Sequence, residues 1–161
     1  ARRVHMRAEL AELHRNGVRV QIMGARAGLA DDIVTLIDRA EEATRHNMRL
    51  TLTIALNYGG QQEIVHAARA LAEKAARGVL DPADIDEAML ERHLYAPDLP
   101  APELLIRTSG EQRISNFMLW QTAYTELVFD EILWPDFDRA ALKRALEQYG
   151  CRERRFGGQV G

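Results

Sequence analysis

The sequence contains very little cysteine and no long hydrophobic run. Cys151 is the single cysteine among 161 residues, which excludes an internal disulfide and a zinc site built from several cysteines, and indicates a reduced thiol in the cytoplasm. No apolar stretch approaches the ~20 residues that are needed to cross a bilayer. Basic residues are not in excess either, because 21 basic and 24 acidic side chains give a formal net charge of -3. A general polycationic surface for nucleic acid is therefore excluded.

Alternating strand and helix patterns are what the sequence does contain. Hydrophobic residues make up 47% of the chain, which is enough for one compact core, so residues 1–161 are predicted to form a single α/β domain. Apolar spacing predicts helices over residues 4–14, 29–46, 61–76, 82–90 and 137–149, and strands over residues 18–23, 50–56, 104–107 and 126–129. Strands separated by helices in this order predict a mostly parallel sheet with helices on both faces.

A polar turn that contains two glycines follows the second strand. The run from Leu50 to Leu56, rich in Thr and Ile, is typical of a strand buried on both faces. It is followed by Asn57-Tyr58-Gly59-Gly60, where the glycine pair would allow a sharp turn and a close approach to a ligand. A simple turn from strand to helix explains the pair equally well, and both interpretations stay open.

The most polar strand end is the segment RTSGEQRISNF, residues 107–117. Ligands of open parallel sheets bind outside the carboxyl ends of the strands, so Arg107, Arg113 and Ser115 are predicted to hold a diphosphate. Each charge-assisted hydrogen bond of this kind contributes roughly 1.5 to 3 kcal/mol. The alternative is that these are surface arginines paired with neighbouring glutamates, but the position at a strand end favours an anion site.

The order of several motifs resembles one protein family. The strings LTLTIALNYGG, RTSGEQRISNFMLWQTAYTELVF, WPDF and RERRFGG resemble, in order and without large gaps, those of the cis-prenyltransferases, the family of undecaprenyl diphosphate synthase. The resemblance implies an α/β enzyme that uses Mg²⁺ and works as a homodimer. Such an enzyme condenses isopentenyl diphosphate onto an allylic diphosphate, such as farnesyl diphosphate, with cis geometry.

The resemblance also implies roles for individual residues. The three residues predicted to bind an anion would hold the diphosphate of isopentenyl diphosphate, in agreement with their charge and position. Glu126, in the stretch AYTELVF, would bind the metal, since magnesium prefers carboxylate oxygens. Arg155 and Gly157 in the tail match the family's R-x-G element, which would reach the diphosphate site of the partner subunit.

Some residues of the matching motifs differ from the family or have a structural interpretation. Gln112 stands where many members have histidine, and Gln61 stands where arginine often follows the NYGG motif, so a contribution from either side chain is in doubt. Asn116, Phe117 and Trp120 belong to the same motif as the anion site. For the two aromatic residues, core packing is predicted over ligand contact.

The glycine-rich loop that carries the family's catalytic aspartate is not found in this sequence. No Asp-Gly-Asn-Gly-Arg string or equivalent occurs in the 161 residues, so the catalytic residue is unknown and the family's N-terminal strands are expected to be absent. The chain by itself is predicted to be inactive. The strand over residues 50–56 would then have an unpaired edge and an uncovered apolar face. Because the chain begins at Ala1 without a methionine or signal peptide, its true start is expected upstream.

The function expected from the resemblance is the synthesis of undecaprenyl diphosphate for the lipid carrier of the cell wall, in the cytoplasm, with a peripheral membrane contact through the lipid product. Three alternatives stay open. One is a non-catalytic partner subunit of a cis-prenyltransferase, although an intact substrate motif argues against it. Another is a nucleotide-binding module, but a G-x-G-x-x-G motif and a phosphate-loop lysine are missing. The last is a module that binds diphosphate without chemistry.

Overall fold

The computed structural model describes residues 2–151, with side chains from residue 9 onward. It divides into two compact units, one up to Pro97 and one from Asp98 on. Each unit combines helices with a pair of parallel strands, which confirms the predicted α/β class. The prediction that the chain is one domain stays a prediction. Two of the predicted site residues, Arg155 and Gly157, lie outside the described residues.

The elements of the first unit follow the apolar pattern closely. They are α1 (Arg2–Arg15), β1 (Val18–Met23), α2 (Asp31–Thr44), β2 (Leu50–Ala55), α3 (Gly60–Ala76), a 3₁₀ turn (Pro82–Asp84) and α4 (Glu87–Glu91). The helix predicted over residues 82–90 is thus two elements. Asp86 separates them, because it is extended and its carboxylate accepts a hydrogen bond from the backbone N–H of Met89 at 2.7 Å, which begins a new helix.

Strands β1 and β2 pair in parallel, from Val18 beside Leu50 to Met23 beside Ala55. The other edge of β1 is closed by side chains of α2. The N–H of Val20 donates to Thr44 Oγ1 at 2.9 Å, and the N–H of Ile22 donates to Glu41 Oε1 at 2.7 Å. This edge of the strand pair therefore cannot accept a further strand at those positions.

Strand β2 is not buried on both faces, so that prediction was wrong. All its residues except Thr53 are exposed, and Leu50 has 59% and Ile54 45% of its surface accessible. The apolar pattern specifies a strand but not what covers it. The prediction of an uncovered apolar face on this strand is confirmed.

The second unit contains β3 (Leu104–Arg107), β4 (Glu126–Phe129), a 3₁₀ turn (Trp134–Asp136) and α5 (Arg139–Gly150). The strands pair in parallel, and α5 contacts β4. Val128, Ala141 and Ala145 are buried with at most 2% exposure; the two alanines are four residues apart and so lie on one face of α5. Asp138 begins this helix by accepting a hydrogen bond from the N–H of Ala141 at 2.8 Å. Within residues 2–151, no helix is long and apolar enough to span a bilayer.

Candidate functional site

The predicted anion site begins at the carboxyl end of β3. Arg107 is the last residue of this strand and pairs with Phe129, the last residue of β4. The N–H of Asp130 donates to the carbonyl of Arg107 at 2.8 Å, and the N–H of Gly110 donates to the carbonyl of Asp130 at 3.0 Å. Asp130 therefore connects the segment that follows β4 to both ends of the turn at residues 107–110. Its part in holding this turn was not predicted from the sequence.

The segment that follows Arg107 has an unusual backbone. Four residues other than glycine have a positive φ between 109 and 118: Ser109 (68°), Ser115 (47°), Asn116 (62°) and Met118 (48°). Such conformations are unfavourable for side chains with a Cβ, and they are concentrated at functional sites, where surrounding contacts enforce them. The conformation of this segment therefore supports a binding function.

The two arginines of the segment differ in their surroundings. Arg113 is 67% exposed and forms an ion pair with Glu111, which is one of the surface pairs that the alternative interpretation expected. An exposed ion pair contributes only about 0.2–1 kcal/mol, so it would not prevent Arg113 from binding a ligand. Arg107 is a half-buried residue, and its guanidinium forms no hydrogen bond or ion pair within residues 2–151. Ser115 is exposed.

Glu126 does not lie next to Arg107 on the sheet. It is the first residue of β4 and pairs with Leu104, the first residue of β3, whereas Arg107 is at the opposite end of the strand pair. At about 3.3 Å per residue, the two backbones are about 10 Å apart along the strands. The structure thus places the predicted metal ligand at the end of this small sheet opposite Arg107.

The described residues do not form a metal site by themselves. Among residues 2–151, no group of three or more His, Cys, Asp or Glu side chains could hold a metal ion. Magnesium is commonly held by one or two carboxylates together with waters and substrate phosphates. The carboxylate of Glu126 is an oxygen ligand of the kind that such a site needs, but Glu126 lies at the end of the strand pair opposite Arg107.

In the first unit, the turn after β2 is held by Asn57 rather than by the glycine pair. Asn57 has a φ of 49°, and its amide donates to the carbonyls of Ala25 at 2.9 Å and Ala27 at 3.0 Å. Gly59 is extended, with φ -155° and ψ 132°, which any residue can adopt. The sharp turn expected at the glycines lies at Asn57 instead, because an asparagine tolerates the left-handed conformation.

A close backbone contact joins the ends of β1 and β2. Gly24 has a φ of 139°, and a Cβ at this position would lie 2.0 Å from the carbonyl oxygen of Leu56. We expect Gly24→Ala to destabilise the chain by about 3 kcal/mol or more, since both the conformation and the contact are unfavourable. Gly28→Ala is the control, because Gly28 also has a positive φ but no atom within 4 Å of the Cβ position. Urea unfolding measures the free energy of unfolding of both variants. Equal losses in Gly24→Ala and Gly28→Ala would show that the contact with the carbonyl oxygen of Leu56 does not matter.

Sequence analysis missed Glu63, which organises the same end of this unit. It is 0% exposed and lies on the buried face of α3 with Ala67 and Leu71. Its Oε2 accepts a hydrogen bond from the hydroxyl of Tyr58 at 2.6 Å, and its Oε1 accepts one from the backbone N–H of Tyr95 at 2.9 Å. The sequence feature that could have revealed its burial is spacing. Glu63 lies four residues before Ala67 and eight before Leu71, on the same face of α3.

Comparison with known proteins supports a single family. The family model for undecaprenyl diphosphate synthase matches residues 1–157. Isoprenyl transferase 2 of Bradyrhizobium diazoefficiens is 59% identical over 155 residues, which cover 96% of this chain and 62% of that protein. The ditrans,polycis-undecaprenyl-diphosphate synthase of Xanthomonas axonopodis pv. citri, specific for (2E,6E)-farnesyl diphosphate, is 54% identical over 149 residues, which cover 92% of this chain and 58% of that protein.

A solved structure has the same fold. Lavandulyl diphosphate synthase from Lavandula x intermedia, in complex with dimethylallyl diphosphate, is 41% identical and superposes with a TM-score of 0.91 over 94% of this chain and 66% of that chain. The helices and parallel strands of the chain define it as an α/β protein. The chain belongs to the cis-prenyltransferase family. It spans about 60% of the length of the curated relatives given above.

Proposed function

We propose that the complete protein to which this chain belongs is a cis-prenyltransferase that condenses isopentenyl diphosphate onto an allylic diphosphate. The observation that carries the proposal is the segment 107–115, where a half-buried arginine without a partner in the described residues and an exposed arginine occur in a strained turn at a strand end. Two relatives are named isoprenyl transferase and undecaprenyl-diphosphate synthase, and family membership favours the same chemistry.

In this proposal, the diphosphate of isopentenyl diphosphate is bound by Arg107, Arg113 and Ser115. Arg107 offers a guanidinium at the carboxyl end of β3. Arg113 leaves its exposed ion pair with Glu111 and binds phosphate oxygens instead. The hydroxyl of Ser115 donates a further hydrogen bond. Arginine suits this task because its planar group can bind two phosphate oxygens at once.

The reaction forms a carbon–carbon bond between the two substrates. The bond between the allylic carbon and its diphosphate oxygen breaks, and isopentenyl diphosphate loses a proton. The bound magnesium ion would neutralise charge on diphosphate oxygens, and we propose Glu126 as a ligand for it. The residues of segment 107–115 bind and orient isopentenyl diphosphate, so that its double bond is held in a fixed position relative to the allylic carbon.

The finer features of the proposal rest on the resemblance to the family. We propose a homodimer in which Arg155 and Gly157 reach the diphosphate site of the partner subunit, a cytoplasmic location, and a peripheral membrane contact through the lipid product. The allylic substrate proposed is farnesyl diphosphate, since a relative is named as specific for it. The product proposed is undecaprenyl diphosphate for the cell-wall lipid carrier.

Substitution of Arg113 tests the site assignment. In the complete gene product, Arg113→Ala is expected to raise the KM for isopentenyl diphosphate about tenfold or more, because one charge-assisted interaction with the diphosphate is lost. The KM for farnesyl diphosphate should stay within about twofold, since that substrate does not contact the residue. Steady-state kinetics with each substrate varied in turn measures both constants.

Arg139→Ala is the matched control for this substitution. Arg139 is also an exposed arginine of the second unit, but it lies at the start of α5, and its replacement should change neither KM. If Arg113→Ala alters only the KM for the allylic substrate, the assignment of segment 107–115 to isopentenyl diphosphate is wrong.

A further inference from the structure

The first unit contains a cavity of ≈ 560 Å³. It lies at the carboxyl ends of β1 and β2, beside the N-terminal half of α3. The polar side chains that line it include Asn57, Gln62, His66 and Arg69, and no acidic residue is among its lining residues in the described part of the chain. The cavity is therefore lined by hydrogen-bond donors and by the positively charged guanidinium of Arg69, and no carboxylate in the lining neutralises this charge.

The donors of the cavity are arranged along one face of α3. Gln62, His66 and Arg69 are separated by four and three residues, so they lie one above the other on the helix. Arg69 is exposed, and its guanidinium forms no hydrogen bond or ion pair with a residue of the described chain. His66 can donate a hydrogen bond in either protonation state, because a neutral imidazole retains one N–H. An anion in the cavity could be contacted by all three side chains.

The acidic residue nearest to this face in the sequence does not face the cavity. Both carboxylate oxygens of Glu63 accept hydrogen bonds, one from the Tyr58 hydroxyl and the other from the backbone N–H of Tyr95, and the residue is fully buried. Tyr95 lines the cavity, and Tyr58 follows Asn57, which also lines it. Glu63 thus holds Tyr95, which lines the cavity, and Tyr58, and does not itself line the cavity.

We propose that this cavity binds a small organic phosphate, with Arg69 and His66 holding the phosphate group. An arginine on a lining without carboxylates favours an anion, and guanidinium geometry favours phosphate oxygens. The cavity is larger than a phosphate group, and its other lining includes Ala25, Ala27 and Val65, which offer apolar contact to the organic part. The cavity belongs to the first unit of the chain, whereas segment 107–115, to which the diphosphate of isopentenyl diphosphate is assigned above, belongs to the second.

A titration of the ¹⁵N-labelled chain with inorganic diphosphate tests the proposal. We expect the backbone amides of residues 61–69 and of Tyr95 to shift and to reach saturation. Arg69→Ala should weaken the binding reported by these amides at least tenfold. Arg77→Ala should leave it unchanged, since Arg77 is an exposed arginine at the end of the same helix that does not line the cavity.

The same titration of Arg113→Ala separates this site from the diphosphate site of the proposed function. The shifts at residues 61–69 should persist in Arg113→Ala with unchanged affinity, whatever happens to the amides of residues 107–117. The proposal is overturned if the amides of residues 61–69 do not shift in the unsubstituted chain. It is equally overturned if Arg69→Ala binds diphosphate at these amides as tightly as Arg77→Ala does.

Discussion

The 161-residue chain by itself is expected to show no measurable prenyl transfer from farnesyl diphosphate and labelled isopentenyl diphosphate. Ionisation of the allylic diphosphate builds negative charge on the leaving group, and stabilising that charge is the main electrostatic task of such a site. The sequence contains no Asp-Gly-Asn-Gly-Arg string, and its described residues contain no cluster of three metal-binding side chains. We therefore expect the chain by itself to lack the metal-binding group that the family implies beside the allylic diphosphate.

The measurement is a radiochemical assay with a complete relative, such as the isoprenyl transferase 2 of Bradyrhizobium diazoefficiens, as the positive control under the same conditions. A chain that is inactive but retains binding of isopentenyl diphosphate would agree with the proposal. Clear turnover by the pure 161-residue chain would show that residues within it complete the catalytic site.

Replacement of Glu63 is expected to have a large effect on stability. Glu63→Ala removes the acceptor of the backbone N–H of Tyr95, the carboxylate partner of the Tyr58 hydroxyl, and the side-chain atoms that fill a fully buried position. Each buried donor that loses its acceptor costs about 1–3 kcal/mol, and the empty space adds to this loss. We therefore expect a loss of about 3 kcal/mol or more in the free energy of unfolding.

Two variants make the Glu63 experiment specific. Glu63→Gln keeps the length of the side chain and an acceptor for the N–H of Tyr95, so its loss should be the smaller of the two. Glu73→Ala, at an exposed position of the same helix, should change stability by no more than about 0.5 kcal/mol. Denaturant unfolding of the three variants measures the free energy that each one loses and so the order of the losses. A loss for Glu63→Ala as small as that for Glu73→Ala would show that the hydrogen bonds do not stabilise the unit.

The sequence predicts the elements of this fold better than their surroundings. The bounds of β1, β3 and β4 agree with the prediction because apolar and β-branched residues are bounded there by turn residues. The burial of β2 was predicted wrongly, since its apolar run specifies a strand without specifying what covers it. The buried state of Glu63 was missed for a related reason: a glutamate is normally exposed, and only its two partners in space explain the exception.

The candidate site was predicted in part. The position of Arg107 at a strand end followed from the strand pattern, and the structure has it there. The positive φ values of Ser115, Asn116 and Met118 were not predicted, because they depend on contacts from other segments rather than on local sequence. The predicted bounds already had Glu126 at the start of one strand and Arg107 at the end of another, but the direct pairing of these two strands and its register came only from the structure, since register is set by pairing and not by spacing along the chain.

The proposed function depends most on the claim that segment 107–117 binds the diphosphate of isopentenyl diphosphate. The most direct test is a titration of the ¹⁵N-labelled chain with isopentenyl diphosphate, followed at the backbone amides of this segment, with isopentenyl alcohol as the control without phosphate. The proposal predicts saturable shifts for the diphosphate alone and at least tenfold weaker binding by Arg113→Ala. Amides of residues 107–117 that do not respond, or an Arg113→Ala chain that binds with unchanged affinity, would contradict it.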